Sequence, residues 1–269
     1  MIVHNFDPVL VDFGFLQIRW YSLAYICGIV AGWFCAIKII KLTAKNEYSF
    51  NQIKAAQFDN LIVYIVVGII LGGRLGYVFF YNSSYFIQNF SEIFKLWEGG
   101  MSFHGGLLGV ILGTFIFSKR ENINFFKCTD IISCVAPIGI FFGRVANFIN
   151  GELYGKFSNL PWSVIFPNGE NISRHPSQIY EALLEGLVLF FLINYLALKG
   201  KLLFKPGYIS SFFLILYSVF RLFSELFREP DAHLGHFFNY FSMGSMLSLA
   251  TLLMGIFMIY AIKKNEQNN

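Results

Sequence analysis

The sequence predicts an all-α polytopic membrane protein of about seven transmembrane helices with a small external head region. Of the 269 residues, 56% are hydrophobic and only 13% are charged, which lies outside the usual range for a soluble domain. Phenylalanine occurs 33 times and tryptophan only 4 times, a balance that suits lipid-facing helix surfaces. Lipid is therefore the expected solvent for most of the chain, and an ordinary soluble enzyme is excluded.

Seven apolar runs meet or approach the roughly 20 residues that a membrane-spanning helix needs. The third run is the shortest, and its glycines would also suit a partly re-entrant segment. The predicted spans are residues 19–40, 58–81, 103–119, 129–149, 178–198, 207–227 and 240–262.

The chain is expected to form one transmembrane domain over residues 1–269, because no tandem repeat or low-complexity linker divides it. Its least hydrophobic stretch, about 150–177, contains three prolines. We expect an external loop or head there, with short strands around 162–166.

Lysines mark one side of the predicted spans. Loops rich in lysine and arginine stay in the cytoplasm, and an odd number of spans puts the termini on opposite sides, so we expect the N-terminus outside and the C-terminus inside. The residues on the cytoplasmic side are Lys38, Lys41, Lys45, Lys54, Lys119, Arg120, Lys127, Lys199, Lys201, Lys205, Lys263 and Lys264.

Six of the eight remaining basic residues are arginines, which lie in the spans or on the other side. Arginine is suited to bidentate binding of phosphate or carboxylate, so an anion site in the outer leaflet is the natural inference. These arginines are Arg19, Arg74, Arg144, Arg174, Arg221 and Arg228.

Glycines recur every four residues in the second, third and fourth runs, a spacing that favours close helix packing. The four cysteines lack paired C-x-x-C spacing and are interpreted as buried apolar residues. We expect no metal site.

The first polar cluster surrounds His104, which lies between two glycine pairs at the start of the third run. Ionisable side chains at membrane depth are costly and are functional candidates by default. The glycines leave the ring accessible to a substrate. His104 would equally serve as a helix cap or as a satisfied core histidine.

The second cluster ends the fourth run. Arg144 and Asn147 are three residues apart and share a helix face, and Asn150 and Glu152 follow where the helix should break. A basic residue and a cap are ordinary at a helix C-terminus, but they do not require this concentration of polar side chains.

The third cluster is a polar stripe in the sixth run, formed by Tyr217, Arg221, Glu225 and Arg228. Glu225 can neutralise one arginine and leave a net positive charge for an anion. The alternative is a salt bridge that only fixes helix packing. On the fifth run, Gln178, Tyr180 and Glu181 are interpreted as further polar residues or interface anchors.

Intramembrane arginine and glutamate also occur along ion and substrate paths, so a transporter or channel is the main rival interpretation. Against it, the predicted clusters gather at one external level and do not continue to the cytoplasmic side. A lipid-binding scaffold without catalysis is a third interpretation.

The residues of these clusters resemble the signature motifs of the prolipoprotein diacylglyceryl transferase family, in order and over nearly the whole chain. The matching segments are Trp20-Tyr21, residues 72–77 (GGRLGY), 101–106 (MSFHGG), 143–155 (GRVANFINGELYG), 175–181 (HPSQIYE) and 217–231, which ends at Asp231.

This resemblance implies an enzyme of the bacterial inner membrane. It implies phosphatidylglycerol as donor, the lipobox cysteine of a prolipoprotein signal peptide as acceptor, glycerol phosphate as the second product, no metal or organic cofactor, and no nucleic-acid partner. By matched position, it implies that the important residues are Tyr21, His104, Arg144, Asn147, Glu152, Gly155, Tyr217, Arg221 and Glu225.

The implied reaction suggests roles for these side chains. Arg144 and Arg221 are expected to hold the phosphate, and Arg228 or Arg74 to assist them. His104 is expected to take the thiol proton, with Glu152 as the rival base. Tyr21 and Asn147 would orient the lipid headgroup by hydrogen bonds.

Overall fold

The computed structural model describes residues 2–14, 17–44, 53–96, 99–229, 236–237 and 241–268. Lys45 and Asp231, named above, lie outside the described residues. The chain divides into two compact units, which are described separately. The first unit comprises Met1–Ala36 and Asp130–Asn269, and the second comprises Ile37–Thr129.

Helices account for most of the described residues and coincide with all seven predicted spans. The helices are α1 (Trp20–Thr43), α2 (Ala55–Phe80), α3 (Ser83–Gln88), α4 (Phe103–Arg120), α5 (Phe125–Ile149), α6 (Ser177–Glu181), α7 (Leu189–Leu198), α8 (Tyr208–Glu225) and α9 (Met243–Asn268). A π-helical segment, Ala182–Val188, joins α6 to α7, and short 3₁₀ turns cover Phe90–Phe94 and Leu202–Phe204.

Among the described residues, six helices are long and apolar enough to cross a membrane: α1, α2, α5, the composite Ser177–Leu198, α8 and α9. The multi-spanning all-α fold is thus confirmed. The remaining predicted span is α4, an unbroken helix of 18 residues, about 27 Å long at 1.5 Å per residue. Its glycines and its basic last turn, Lys119 and Arg120, lower its hydropathy.

Glycines bring α2 and α4 together within the second unit. A Cβ on Gly68 would overlap the carbonyl group of Gly109, and a Cβ on Gly72 would overlap that of Gly105. Because no side chain separates the backbones, the two helices pack at the closest distance that helices allow. The packing predicted from the four-residue spacing is confirmed for this pair.

Short strands build the polar segments of the first unit. The strands are β1 (Ile2–Val3), β2 (Val9–Asp12), β3 (Gln17–Arg19), β4 (Val164–Ile165), β5 (Ser173–Arg174), β6 (His236–Phe237) and β7 (Phe241–Ser242). β4 pairs in parallel with β1 and antiparallel with β5, and β2–β3 and β6–β7 form antiparallel pairs. Buried His4 lies 2.7 Å, through Nε2, from the Phe148 carbonyl oxygen, which attaches the first residues to the end of α5.

A buried carboxylate fixes the start of α8 against α5. The Asp130 side chain accepts hydrogen bonds from the backbone N–H of Gly207 at 2.7 Å and of Ser210 at 2.7 Å. Helix N-termini leave such N–H groups unpaired and carry partial positive charge. The contact therefore sets the position along α8 from which Arg221 and Glu225 project.

The π-helical segment approaches α5 closely. A Cβ on Gly186 would lie 2.6 Å from the Cβ of Phe141, so only glycine fits there without displacement. The neighbouring Glu185 thereby comes within reach of Arg144, one turn along α5 from Phe141. π-helical turns are rare and are frequently found at functional sites.

Candidate functional site

Two arginines from different helices share two glutamates within the first unit. Arg144 of α5 lies 2.8 Å from Glu181 and 3.1 Å from Glu185. Arg221 of α8 lies 2.8 Å from Glu181 and 3.6 Å from Glu185. The predicted convergence of the two cations is therefore present, with two carboxylates between them.

Arg228 and Glu225 extend this group. Arg228 lies 3.2 Å from Glu181, Arg221 pairs directly with Glu225, and the Arg228 Nε is 4.0 Å from the same carboxylate. We call the six side chains the arginine–glutamate cluster: Arg144, Arg221, Arg228, Glu181, Glu185 and Glu225.

The cluster carries three formal positive and three formal negative charges. The prediction of a surplus of positive charge at the sixth run considered only Arg221, Arg228 and Glu225. The structure adds Glu181 and Glu185 from the neighbouring segment, so the formal charge of the cluster is zero. Pairing of this kind limits the cost of placing charges in a low-dielectric interior.

Burial within the cluster is uneven. Glu181 and Glu185 are fully buried, at 0% exposure. The Arg144 side chain keeps 18% of its surface exposed and that of Arg221 keeps 11%. The open side of the cluster is therefore cationic, which suits the approach of an anion.

Three further predicted residues form one hydrogen-bonded group beside the end of α5. The Tyr21 hydroxyl and the Asn147 amide both donate to Oε1 of Glu152, the amide at 2.8 Å, and the amide also contacts the Tyr21 hydroxyl. Gln178 donates to the backbone carbonyl of Glu152 at 2.6 Å and fixes the turn that carries this carboxylate. We call Tyr21, Asn147 and Glu152 the tyrosine–glutamate group.

Gly155 makes close backbone contacts, and Tyr217 lies beside the arginine–glutamate cluster. A Cβ on Gly155 would lie 2.5 Å from the Phe227 carbonyl oxygen and 2.6 Å from the His175 Cβ, and Gly155 forms a β-bridge with Arg228. Gly155 thus pairs the loop after α5 with the segment that follows α8. Tyr217 stacks on Phe213 at a centroid distance of 5.9 Å.

Polar contacts also order the loop that precedes α6. Nδ1 of His175 lies 3.2 Å from the Tyr180 hydroxyl, which accepts a hydrogen bond from the Trp162 indole at 2.8 Å. Burial, followed by the charge of Lys156, lowers the pKa of His175. The ring is therefore mostly neutral at neutral pH, and the order of this loop does not depend on an imidazolium.

His104 lies in the first turn of α4 in the second unit. Its ring is exposed and makes an edge contact with Phe103 at a centroid distance of 5.6 Å. The helix cap is supplied instead by Ser102, whose Oγ accepts from the Gly105 N–H at 3.2 Å. The capping and buried-core interpretations of His104 are therefore both wrong, and its ring is accessible.

Arg74, also in the second unit, organises a loop. Its guanidinium donates to the carbonyl oxygens of Ile93 at 2.8 Å, Gly99 at 2.5 Å and Glu92 at 2.6 Å, and to two further carbonyls at 3.2 Å. The side chain also lies over the Phe86 ring. A role for Arg74 in substrate binding stays a prediction.

The sequence predicts Glu181 only as a further polar residue or interface anchor, and the sequence motifs do not single out Glu185. The available signal was two glutamates four residues apart in the apolar run 178–198, a spacing that places both on one helix face. Among the described residues, no group of three or more His, Cys, Asp or Glu side chains could hold a metal ion.

Comparisons with known proteins identify the family of the chain. The model of the prolipoprotein diacylglyceryl transferase family matches residues 8–261. Proteins named phosphatidylglycerol–prolipoprotein diacylglyceryl transferase from Rickettsia bellii and Rickettsia felis are each 48% identical over 259 residues, 96% of this chain and 96% and 98% of theirs. The Rickettsia canadensis protein of that name is 47% identical over 255 residues, 95% of this chain and 96% of its own. The chain belongs to the prolipoprotein diacylglyceryl transferase family.

Proposed function

We propose that the chain transfers a diacylglyceryl group from phosphatidylglycerol to the lipobox cysteine of a prolipoprotein. We also propose that it acts in the bacterial cytoplasmic membrane, with its N-terminus outside and its C-terminus in the cytoplasm. The observation that carries this proposal is the convergence of Arg144 and Arg221 on one cluster with a cationic open side, in a chain whose relatives bear the name of this activity.

The chemistry is a substitution at a glyceryl carbon. The cysteine thiol gives up its proton to a base, and the sulfur attacks the carbon that carries the phosphate ester oxygen. A carbon–sulfur bond forms while the carbon–oxygen bond breaks, and its electron pair leaves with the oxygen. The products are a thioether-linked diacylglyceryl group and glycerol phosphate.

Negative charge grows on the phosphate as this bond breaks. A phosphodiester carries one negative charge, whereas the departing monoester approaches two. Cations fixed in a water-poor site stabilise such a change most strongly. Arg144 and Arg221 are suited to this task because their carboxylate partners hold them in place before the substrate arrives.

A base is needed because a free thiol has a pKa of about 8.5 and is mostly protonated at neutral pH. The accessible ring of His104 favours it for this role. Glu152 is the rival, but its Oε1 already accepts hydrogen bonds from Tyr21 and Asn147. These contacts occupy an oxygen that would otherwise be free to take the thiol proton.

The tyrosine–glutamate group is proposed to bind the polar headgroup. Phosphatidylglycerol presents glycerol hydroxyls, which both donate and accept hydrogen bonds. Glu152 can accept from such a hydroxyl, while Tyr21 and Asn147 set the direction of its carboxylate.

The test uses the purified chain in vesicles, with phosphatidylglycerol labelled in its acyl chains and a peptide that carries a lipobox cysteine. Label transfer to the peptide, and none to the same peptide with serine in place of cysteine, is the expected result. Solute flux without transfer would replace the proposal with a transporter, and lipid binding without transfer would replace it with a scaffold.

A further inference from the structure

The two glutamates shared by Arg144 and Arg221 are held unequally. Glu181 lies 2.8 Å from each arginine and also contacts Arg228 at 3.2 Å. Glu185 lies farther from the same two cations, at 3.1 Å from Arg144 and 3.6 Å from Arg221. Glu181 thus makes the closer contacts with the arginines of the cluster, and Glu185 is the weaker partner of Arg144 and Arg221.

Charged and titratable groups of α5, of α8 and of its own segment face Glu185. Arg144 projects from α5, Arg221 and Tyr217 from α8, and Glu181 lies one turn earlier on its own segment. With Glu185 ionised, the arginine–glutamate cluster has a formal charge of zero. Without that charge, the same cluster would carry one positive charge.

We propose that Glu185 is a specificity-determining residue that limits the positive charge at Arg144 and Arg221, so that the site holds a singly charged phosphodiester and releases a doubly charged phosphate monoester. This inference rests on the proposed function. It assigns to Glu185 a task distinct from those of the arginines, namely the release of the product.

The physical reason is the charge of the two ligands. Phosphate monoesters have a second pKa near 6 and carry two negative charges at pH 8, whereas a phosphodiester carries one. Coulomb energy is proportional to ligand charge. Arginines without a nearby carboxylate would therefore retain the monoester product more tightly than the diester substrate, and turnover would stop at product release.

The experiment measures competitive inhibition of the transfer reaction at pH 8 by two soluble headgroups, glycerophosphoglycerol with one negative charge and glycerol phosphate with two. Glu185→Gln removes a negative charge with little change of shape. It is expected to lower the inhibition constant of glycerophosphoglycerol by about fivefold and, because the energy doubles with the charge, that of glycerol phosphate by about 25-fold.

Two control variants separate this effect from damage to the fold. Glu185→Asp keeps the charge and should retain the wild-type ratio of the two inhibition constants. Glu170→Gln makes the same chemical change at a glutamate that pairs with Arg174 but is 80% exposed and lies outside the cluster. It should leave both inhibition constants unchanged.

A loss of affinity for both headgroups in Glu185→Gln, or equal tightening for both, would overturn the inference. If wild-type protein shows no label transfer at all, the proposed function fails instead, so the two failures are distinct.

Wild-type protein alone provides a test that does not depend on the folding of a variant. Between pH 5 and pH 8, glycerol phosphate gains its second charge and glycerophosphoglycerol does not. The ratio of their inhibition constants, glycerol phosphate over diester, is expected to change by no more than about twofold, because the wild-type cluster has no net charge to attract the second charge of the ligand. A ratio that falls severalfold would contradict the inference, because it would mean that the wild-type site gains affinity from the second charge of the ligand.

Discussion

At the scale of single residues, the charges of the arginine–glutamate cluster are arranged so that each has an opposite partner. Arg144 and Arg221 would be costly in a membrane-spanning segment if Glu181 and Glu185 were absent. The same pairing holds the guanidinium groups in fixed positions before a substrate binds. The same ion pairs therefore offset the cost of the buried charges and preorganise the guanidinium groups for a substrate.

The Tyr21 hydroxyl gives a residue-scale prediction. Tyr21→Phe removes one hydrogen bond from Glu152 but leaves the Asn147 contact at 2.8 Å. We expect the free energy of unfolding to fall by about 1 kcal/mol and kcat/KM for phosphatidylglycerol to fall about tenfold or more. Tyr25→Phe, one turn along α1 and 66% exposed, is the matched control and should transfer at the wild-type rate. An equal loss in both variants would argue against the tyrosine–glutamate group as a binding element.

His104 and Arg144 give a second prediction, because one is proposed to act on the thiol and the other on the phosphate. His104→Gln should lower transfer by about 10² to 10⁴-fold while phosphatidylglycerol binding is unchanged. Arg144→Lys keeps the charge that balances Glu181 and Glu185 but loses bidentate geometry, so binding and transfer should both fall. Substantial transfer by His104→Gln would remove it as the required base and make Glu152→Gln the next variant to assay.

At the scale of elements, close backbone approach decides which helices meet. In the second unit, glycines of α2 and α4 meet without side chains between them, and in the first unit Gly186 lets the π-helical segment approach α5. The first contact builds the unit that carries His104. The second brings Glu185 to Arg144.

The glycine contacts predict opposite outcomes for two similar substitutions. Gly109→Ala places a methyl group against the Gly68 carbonyl and should lower the free energy of unfolding by about 1 to 3 kcal/mol. Gly139→Ala meets nothing within 4 Å and should leave stability unchanged or raised, because alanine is favoured over glycine in helices. Thermal unfolding in detergent would compare them, and equal destabilisation would refute the importance of the α2–α4 contact.

At the scale of the whole molecule, the number of crossings determines where the termini lie. Six helices of the described chain are apolar enough to span, and α4 is a seventh long helix with lower hydropathy. Six crossings would put both termini on one side, whereas seven would separate them. The basic residues of the sequence favour seven.

A labelling experiment decides between these counts. Single cysteines replace Asn5 and Lys264 in a variant whose four native cysteines are changed to alanine, and intact cells are treated with a membrane-impermeant thiol reagent. We expect labelling at position 5 in intact cells and at position 264 only after the membrane is opened. Labelling of both positions from outside would mean that α4 does not cross, and a variant without cysteine gives the background.

The sequence by itself determined the all-α membrane fold, the positions of the seven long helices and the family, because hydrophobic runs of sufficient length and motifs of rare residues are local features of a chain. It also identified Arg144 and Arg221, because charge in an apolar run stands out. Only the tertiary structure decided their partners. Glu181 and Glu185 lie in a different helix from either arginine, and pairing across helices depends on the approach at Gly186 and on the capping of α8 by Asp130. These are distances between segments remote in sequence, which no local pattern specifies.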